Sequence, residues 1–147
     1  MTEAVSTNCD FDAASFDHCR LERLSAHGAL FAAAWIIETV VTYATAVDGS
    51  LRRSTAIGAD FTGADLSRID AAGMSASNCS MVDAVLVGAD LRGATFGSCR
   101  LDGARLMDAR LERTAFVDCD LSQIRTDGVD TSGVILAGSS TWPERRL

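Results

Sequence analysis

A period of five residues runs through almost the whole chain. Every fifth residue from Phe11 to Leu136 is apolar, except Thr126 and Thr131. Two residues before most of these centres lies a small side chain, usually Ala or Cys. A period of five fits neither an α-helix, with about 3.6 residues per turn, nor a strand, with about two. The sequence therefore predicts a repeat architecture in which each five-residue unit gives one large and one small side chain to a continuous core.

The glycines predict where the chain turns. Ten of the twelve glycines lie two residues after a centre. If the turn begins at the centre, this is the third position of a type II turn, where φ is positive and glycine is unstrained. The single proline, Pro143, lies outside the repeat, as expected if the backbone amides are needed for ladders. Short extended segments separated by tight corners follow from this pattern.

Two stretches carry the pattern most clearly, ADFTGADL at 59–66 and ADLRG at 89–93. They resemble the pentapeptide-repeat family, whose motif is A(D/N)LXX. The resemblance implies an all-β fold, a right-handed, quadrilateral parallel β-helix with four pentapeptides per coil. We expect an N-terminal tail over residues 1–8, the β-helix over 9–138, and a C-terminal cap or tail over 139–147, in which Trp142 covers the open end of the core.

A second period, of twenty residues, supports four units per coil. Cys79, Cys99 and Cys119 are spaced twenty apart, and the same column runs back to Cys19. Such a column could hold a metal or a redox ladder, or it could consist of small buried hydrophobic residues. No histidine or paired carboxylate lies in it, and parallel in-line thiols are poorly aimed for a disulfide. The second interpretation is favoured, because buried free cysteine usually plays that part.

Residues 29–47 keep the pentapeptide phase but are also apolar at outward positions. Three interpretations are open: a coil covered by a partner, an inserted amphipathic helix, or a membrane span. The retained phase favours the coil, and Glu38 in the middle argues against the membrane. Ala44 and Ala46 underfill the interior beside this stretch. The outward positions form a candidate apolar interface: Leu30, Trp35, Ile37, Val40 and Val47.

Composition and motifs argue against an enzyme and against nucleic-acid binding. The formal net charge is −7, which argues against a protein that neutralises DNA phosphates. No phosphate-binding, nucleophile-elbow or metalloprotease motif is present, so we expect no catalytic residues, no cofactor and no metal. The first residues show no signal-peptide pattern and the five cysteines are odd in number, so we expect reduced thiols and a cytoplasmic location.

The family resemblance implies a function through protein contacts. Its best-known members are acidic rods that mimic DNA, bind DNA gyrase or topoisomerase IV, and confer antibiotic resistance. The corresponding candidate surface consists of Asp60, Asp65, Asp70, Asp90, Asp120 and Asp130. Those members dimerise through a longer C-terminal segment than this chain has, so a homodimer stays open. The alternatives are a protein-interaction scaffold that uses the apolar interface, and a membrane-associated repeat protein.

Overall fold

The structure is a computed structural model that describes residues 4–140 and 142. It contains seven three-residue strands in one parallel sheet, ordered β1 to β7 as in the chain. Each strand pairs with the one twenty residues later, without a shift in register. No helix occurs in these described residues. The strands are β1 (Ser15–Asp17), β2 (Trp35–Ile37), β3 (Thr55–Ile57), β4 (Ser75–Ser77), β5 (Thr95–Gly97), β6 (Ala115–Val117) and β7 (Ile135–Ala137).

Isolated parallel bridges form the other three sides of each coil, again at an offset of twenty residues. One pentapeptide therefore occupies each side, and the predicted quadrilateral β-helix is confirmed. We name the side that carries β1–β7 the sheet face. The other three sides follow in chain order and are named after one bridge residue of each: the Asp60 face (Arg20 to Asp120), the Asp65 face (Val5 to Arg125) and the Asp90 face (Asp10 to Arg110).

The corners confirm the predicted turn. The amide of Ala64 donates to the carbonyl of Phe61 at 3.0 Å, so the turn starts at the centre residue. All ten glycines of the pattern have φ between 61° and 81°. Sixteen residues with side chains also adopt positive φ at equivalent corners. A left-handed conformation costs an L-residue roughly 1–2 kcal/mol, so the stacked ladders impose the corner even where glycine is absent.

The interior is filled by the repeat centres and the small residues that precede them. Toward the C-terminal end, the rings of Phe96 and Phe116 stack with centroids 5.3 Å apart. The indole of Trp142 packs at a tilt on Phe116, at 5.7 Å between centroids. Trp142 therefore adds an aromatic layer at the end of the core.

The cysteine column has a hydrogen-bonding role that its sequence pattern did not indicate. Residues of this column come directly after the corner that follows each strand. Here the amide of Cys119 donates to Ser139 Oγ at 2.9 Å and does not form the hydrogen bond that closes a turn at other corners. The Cys119 thiol in turn donates to the carbonyls of Phe96 and Val117. Near the other end of the column, the Thr39 hydroxyl accepts the amide of Cys19 and donates to the carbonyls of Phe16 and Ile37. In Thr39, Cys99 and Cys119 the side chain donates to backbone carbonyls of two successive coils, which a hydroxyl or thiol at this position can satisfy.

Residues 29–47 form a coil of the solenoid rather than an inserted helix. They contain β2, and Ala44 N closes an ordinary corner on Val41 O at 3.3 Å. Beside this coil lies an apolar cavity of about 40 Å³, whose lining includes Ala44, Ala46 and Leu51. The cavity lies where these alanines were expected to underfill the interior. Within the described part of the chain, no helix is long and apolar enough to cross a membrane.

Candidate interaction surfaces

The six aspartates predicted from sequence do not form one surface. Asp60 and Asp120 lie on the Asp60 face, and Asp65 lies on the next face. Asp70 and Asp90 are adjacent on the Asp90 face, and Asp130 occupies the same twenty-residue column. The fold therefore divides the predicted set among three sides of the rod.

All six aspartates share a structural task. In each, a carboxylate oxygen accepts the backbone amide two residues later, at 2.8–3.2 Å, as in Asp60 with Thr62 and Asp130 with Ser132. This Asx arrangement orders the corner that follows. It explains the aspartate of the repeat motif without any partner. The signal was available in the sequence, because an Asp directly before a centre lies two residues before the second turn position, whose backbone amide it can accept.

Arginines neutralise much of the Asp90 face. Arg92 binds Asp90 through its Nε and Nη2 atoms, and Arg110 lies 3.7 Å from the same carboxylate. Arg52 bonds Asp70 at 3.3 Å. The Arg92 guanidinium holds the pKa of Asp90 below its usual range. This face carries charges of both signs rather than a continuous acidic stripe.

From Asp60 to Gln123 the Asp60 face is more acidic than the Asp90 face. Asp60, Asp102 and Asp120 lie on it, and Asp83 and Asp118 occupy its two bordering corners. Arg100 is the one basic residue on this face between residues 60 and 123, and it lies 3.4 Å from Asp102. Hydrogen bonds from the amide and hydroxyl of Ser122 lower the pKa of Asp120. Five carboxylates against one guanidinium make this region the strongest candidate for contact with a basic partner.

The residues of the predicted apolar interface point to all four sides of one coil. Leu30 lies on the Asp90 face, Val40 on the Asp60 face and Val47 on the Asp65 face. Only Trp35 and Ile37 share a side, the sheet face, where β3 adds Ile57 to form a common patch. Trp35 is 50% exposed and Ile57 38% exposed.

Tyr43 and Ile135 are two further exposed apolar residues that lay outside the sequence prediction. Tyr43, which is 61% exposed, sits at a corner with its ring over Gly63. Ile135 is exposed on β7, at the far end of the sheet face from Trp35. Both are visible in the sequence as large apolar residues at outward or corner positions.

The cysteines differ in burial: Cys79, Cys99 and Cys119 are buried, and Cys9 and Cys19 are half-buried. Among the described residues no cluster of three or more His, Cys, Asp or Glu could hold a metal. Burial raises the pKa of the Cys119 thiol. A hydrogen bond with Cys79, together with burial, raises the pKa of Cys99. These two thiols stay protonated at neutral pH and serve the backbone of the corner column.

Stacked four-sided coils, centres at every fifth position and Asx-ordered corners define a pentapeptide solenoid. The chain belongs to the pentapeptide-repeat family. The family's sequence profile, described as pentapeptide repeats, matches in eight copies over residues 38–70 and 84–123. No curated protein matches the sequence significantly.

Solved structures are similar to this chain at low sequence identity. A trypsin-treated form of QnrB1, a plasmid-mediated fluoroquinolone resistance protein, is 20% identical, with a TM-score of 0.53 over 92% of this chain and 80% of that one. The pentapeptide-repeat protein alr5209 from Nostoc PCC 7120 is 22% identical, with a TM-score of 0.41 over 92% of this chain and 99% of that one. At these identities the QnrB1 similarity supports the architecture alone.

Proposed function

We propose that the protein acts without catalysis, by binding a protein partner from a cytoplasmic location. The specific proposal is a DNA mimic whose Asp60 face occupies the DNA-binding surface of DNA gyrase or topoisomerase IV. Such binding would inhibit the enzyme or protect it from drugs that trap its cleaved DNA complex, and so contribute to antibiotic resistance.

The observation that carries the proposal is the carboxylate cluster between Asp60 and Asp120. Successive coils are separated by about 4.8 Å, so carboxylates on one side recur at multiples of this spacing along the rod. Arginine and lysine side chains that hold DNA phosphates would find complementary charge there. Family membership supplies the class of target, and QnrB1, a fluoroquinolone resistance protein, supplies the drug class to test.

The test is a DNA gyrase supercoiling assay titrated with the purified protein, with and without a fluoroquinolone. We expect inhibition of supercoiling or, at lower protein levels, relief of drug-induced DNA cleavage. The informative variant is the triple change Asp60→Asn, Asp102→Asn and Asp120→Asn. Asparagine keeps an oxygen that can accept the corner amide but removes the charge, so the fold is preserved. The half-effective concentration should rise roughly tenfold.

A matched control uses the same chemistry on another side of the rod. Asp70→Asn, Asp90→Asn and Asp130→Asn also remove three charges, from the face where arginines already neutralise Asp70 and Asp90. This control should retain most of the effect. Equal losses in the two triple variants would show that net charge, not the Asp60 face, matters. Absence of any effect with folded protein at tens of micromolar would reject the topoisomerase target.

A scaffold function is the second candidate, and the patch formed by exposed Trp35 and Ile57 with half-buried Ile37 favours it. An uncharged apolar patch of this kind marks protein contacts more often than solvent-facing surface. Trp35→Ser would weaken such a contact and leave supercoiling inhibition unchanged, because the Asp60 face is a different side of the rod.

A further inference from the structure

We propose that the sheet face is a self-complementary interface through which two copies of this chain associate with their rods antiparallel. This inference goes beyond the topoisomerase proposal and uses a different side of the molecule. Its first support is charge. No outward residue of β2 to β7 is ionisable, although the chain has 20 acidic and 13 basic residues. The charges lie on the other three faces and at the corners.

The second support is the order of side chains along the face. From β2 to β7 the outward pairs are Trp35 and Ile37, Thr55 and Ile57, Ser75 and Ser77, Thr95 and Gly97, Ala115 and Val117, and Ile135 and Ala137. The hydroxyl-rich strands β4 and β5 lie at the centre, and apolar residues increase toward both ends. The pattern is approximately the same when read in either direction.

A two-fold axis between β4 and β5, parallel to the strands, uses this symmetry. It places β2 of one copy on β7 of the other, β3 on β6, and β4 on β5. Ile57 then meets Val117, and Ser75 meets Thr95. Trp35, which is 50% exposed, meets Ile135, which is 54% exposed. Each contact occurs twice, as an isologous dimer requires.

The corner that follows each strand is compatible with the same arrangement. Its column contains Glu38, Gly58, Asn78, Ser98, Asp118 and Gly138. The two-fold axis sets Glu38 opposite Gly138 and Asp118 opposite Gly58, so no two acidic residues face each other. At the corner that precedes each strand, the axis sets Arg53 opposite Arg113. These two like charges repel each other at the rim of the interface. β1, with the charged Asp17, overhangs the matched strands.

The size and charge of the interface determine how it should behave. Six strands at about 4.8 Å spacing, with their corners, cover roughly 400 Å² per copy, about half of the ~800 Å² buried by each partner in a standard complex. We therefore expect a weak dimer, with a dissociation constant of roughly 10 µM or above. The net charge of −7 and the rim arginines oppose association, so salt should strengthen it. Binding of a basic partner by the Asp60 face should instead weaken with salt.

The test is sedimentation velocity of the full chain from about 10 µM to 1 mM, in roughly 0.05 M and 0.5 M salt. Ala115→Arg should raise the dissociation constant about tenfold or more, because it sets an unpaired charge against Thr55 of the other copy. Adding Thr55→Asp to this variant should restore association. Positions 55 and 115 are three coils apart within one chain, about 14 Å, so the rescue can arise only between copies.

Leu30→Arg is the control, since it replaces an exposed apolar residue with the same charge on the Asp90 face. It should leave the dimer intact. Trp35 emission should shift to the blue as the dimer forms, because the exposed indole becomes buried. A wild-type chain that stays monomeric at 1 mM in high salt would overturn the proposal. So would a dimer that survives Ala115→Arg or that Thr55→Asp fails to restore. Supercoiling assays on Ala115→Arg report on the topoisomerase proposal independently.

Discussion

The two halves of the rod have the same backbone but differ in packing. From Phe61 to Leu121 every repeat centre is buried. In the first coils Phe11, Phe16, Leu21 and Val41 are only partly buried, and the last three of these border the cavity of about 40 Å³. Register, bridges and corner geometry do not change between the halves. The difference shows that the five-residue phase determines the path of the chain, whereas side-chain volume determines how well each coil is packed.

In repeat proteins the stability is approximately the sum of each unit and its contacts with neighbours. The loosely filled coils should therefore open before the coils between Phe61 and Leu121. Local substitutions can test whether packing differs between the halves as much as the structure indicates.

The largest contrast should come from truncating a centre in each half. Leu106→Ala in the filled region should lower the free energy of unfolding by about 2–5 kcal/mol. Leu51→Ala should cost less, because Leu51 already borders the cavity and gives up fewer contacts. Urea denaturation of both variants measures the difference. Equal losses would show that the two halves are packed alike.

Gly49→Ala should cost about 1–3 kcal/mol. A Cβ atom at Gly49 would lie 2.8 Å from the carbonyl oxygen of Ala29, and backbone cannot move aside as a side chain can. Gly93→Ala is the matched change in the other half, where nothing lies within 4 Å of the added atom. That variant should lose only the conformational advantage of glycine at positive φ, about 1 kcal/mol. Thermal unfolding should rank them in this order.

Ala46→Val should stabilise the N-terminal half by about 0.5–1 kcal/mol, because two methyl groups enter the apolar cavity. Ala104→Val is the control, since Ala104 is fully buried in a filled coil and extra volume there should destabilise. Denaturant titration distinguishes the signs. Destabilisation by both changes would mean that the cavity cannot accept a larger residue.

The smallest effect concerns His18 on the first coils. Hydrogen bonding with Asp17 and the charges of Asp17 and Glu38 raise its pKa above 6.5, and its Nε2 lies 2.8 Å from Glu38. Its stabilising contribution is therefore complete below about pH 6.5 and is lost as pH rises through the raised value. Hydrogen exchange of residues 15–25, corrected for intrinsic rates, should be slower at pH 6 than at pH 8. His18→Gln should remove this difference, and its persistence would assign it to another group.

The sequence contained the information for the fold because one short period set both the core and the corners. The spacing of the glycines located the turns, and the small side chains of Ala44 and Ala46 indicated where the interior would be incompletely packed. Glycine alone could not indicate how many other residues adopt positive φ, because that conformation is imposed by ladders from neighbouring coils. At Arg68, for example, φ is 54° and the backbone amide donates to the carbonyl of Val87 on the next coil at 2.9 Å.

The candidate sites were less predictable, because assignment to a side depends on position within a twenty-residue coil. Asp70 and Asp60 look alike in the sequence, yet the first is paired with Arg52 and the second belongs to the more acidic face. Leu30 and Trp35 are near neighbours in the chain but point to different sides. The hydrogen-bonding role of Cys119 could not be predicted, because no local sequence pattern shows that the corner after each strand lacks the hydrogen bond that closes a turn.

The twenty-residue offset between coils also governs how such a chain can change length. Inserting five residues would keep every centre inside, yet it would rotate all later outward residues by a quarter turn onto the adjacent side. Insertion of twenty residues would lengthen the rod and leave each side intact. Deletions would obey the same arithmetic. Selection on a binding surface would thus accept whole coils and reject single pentapeptides, even though the folding of the chain tolerates both.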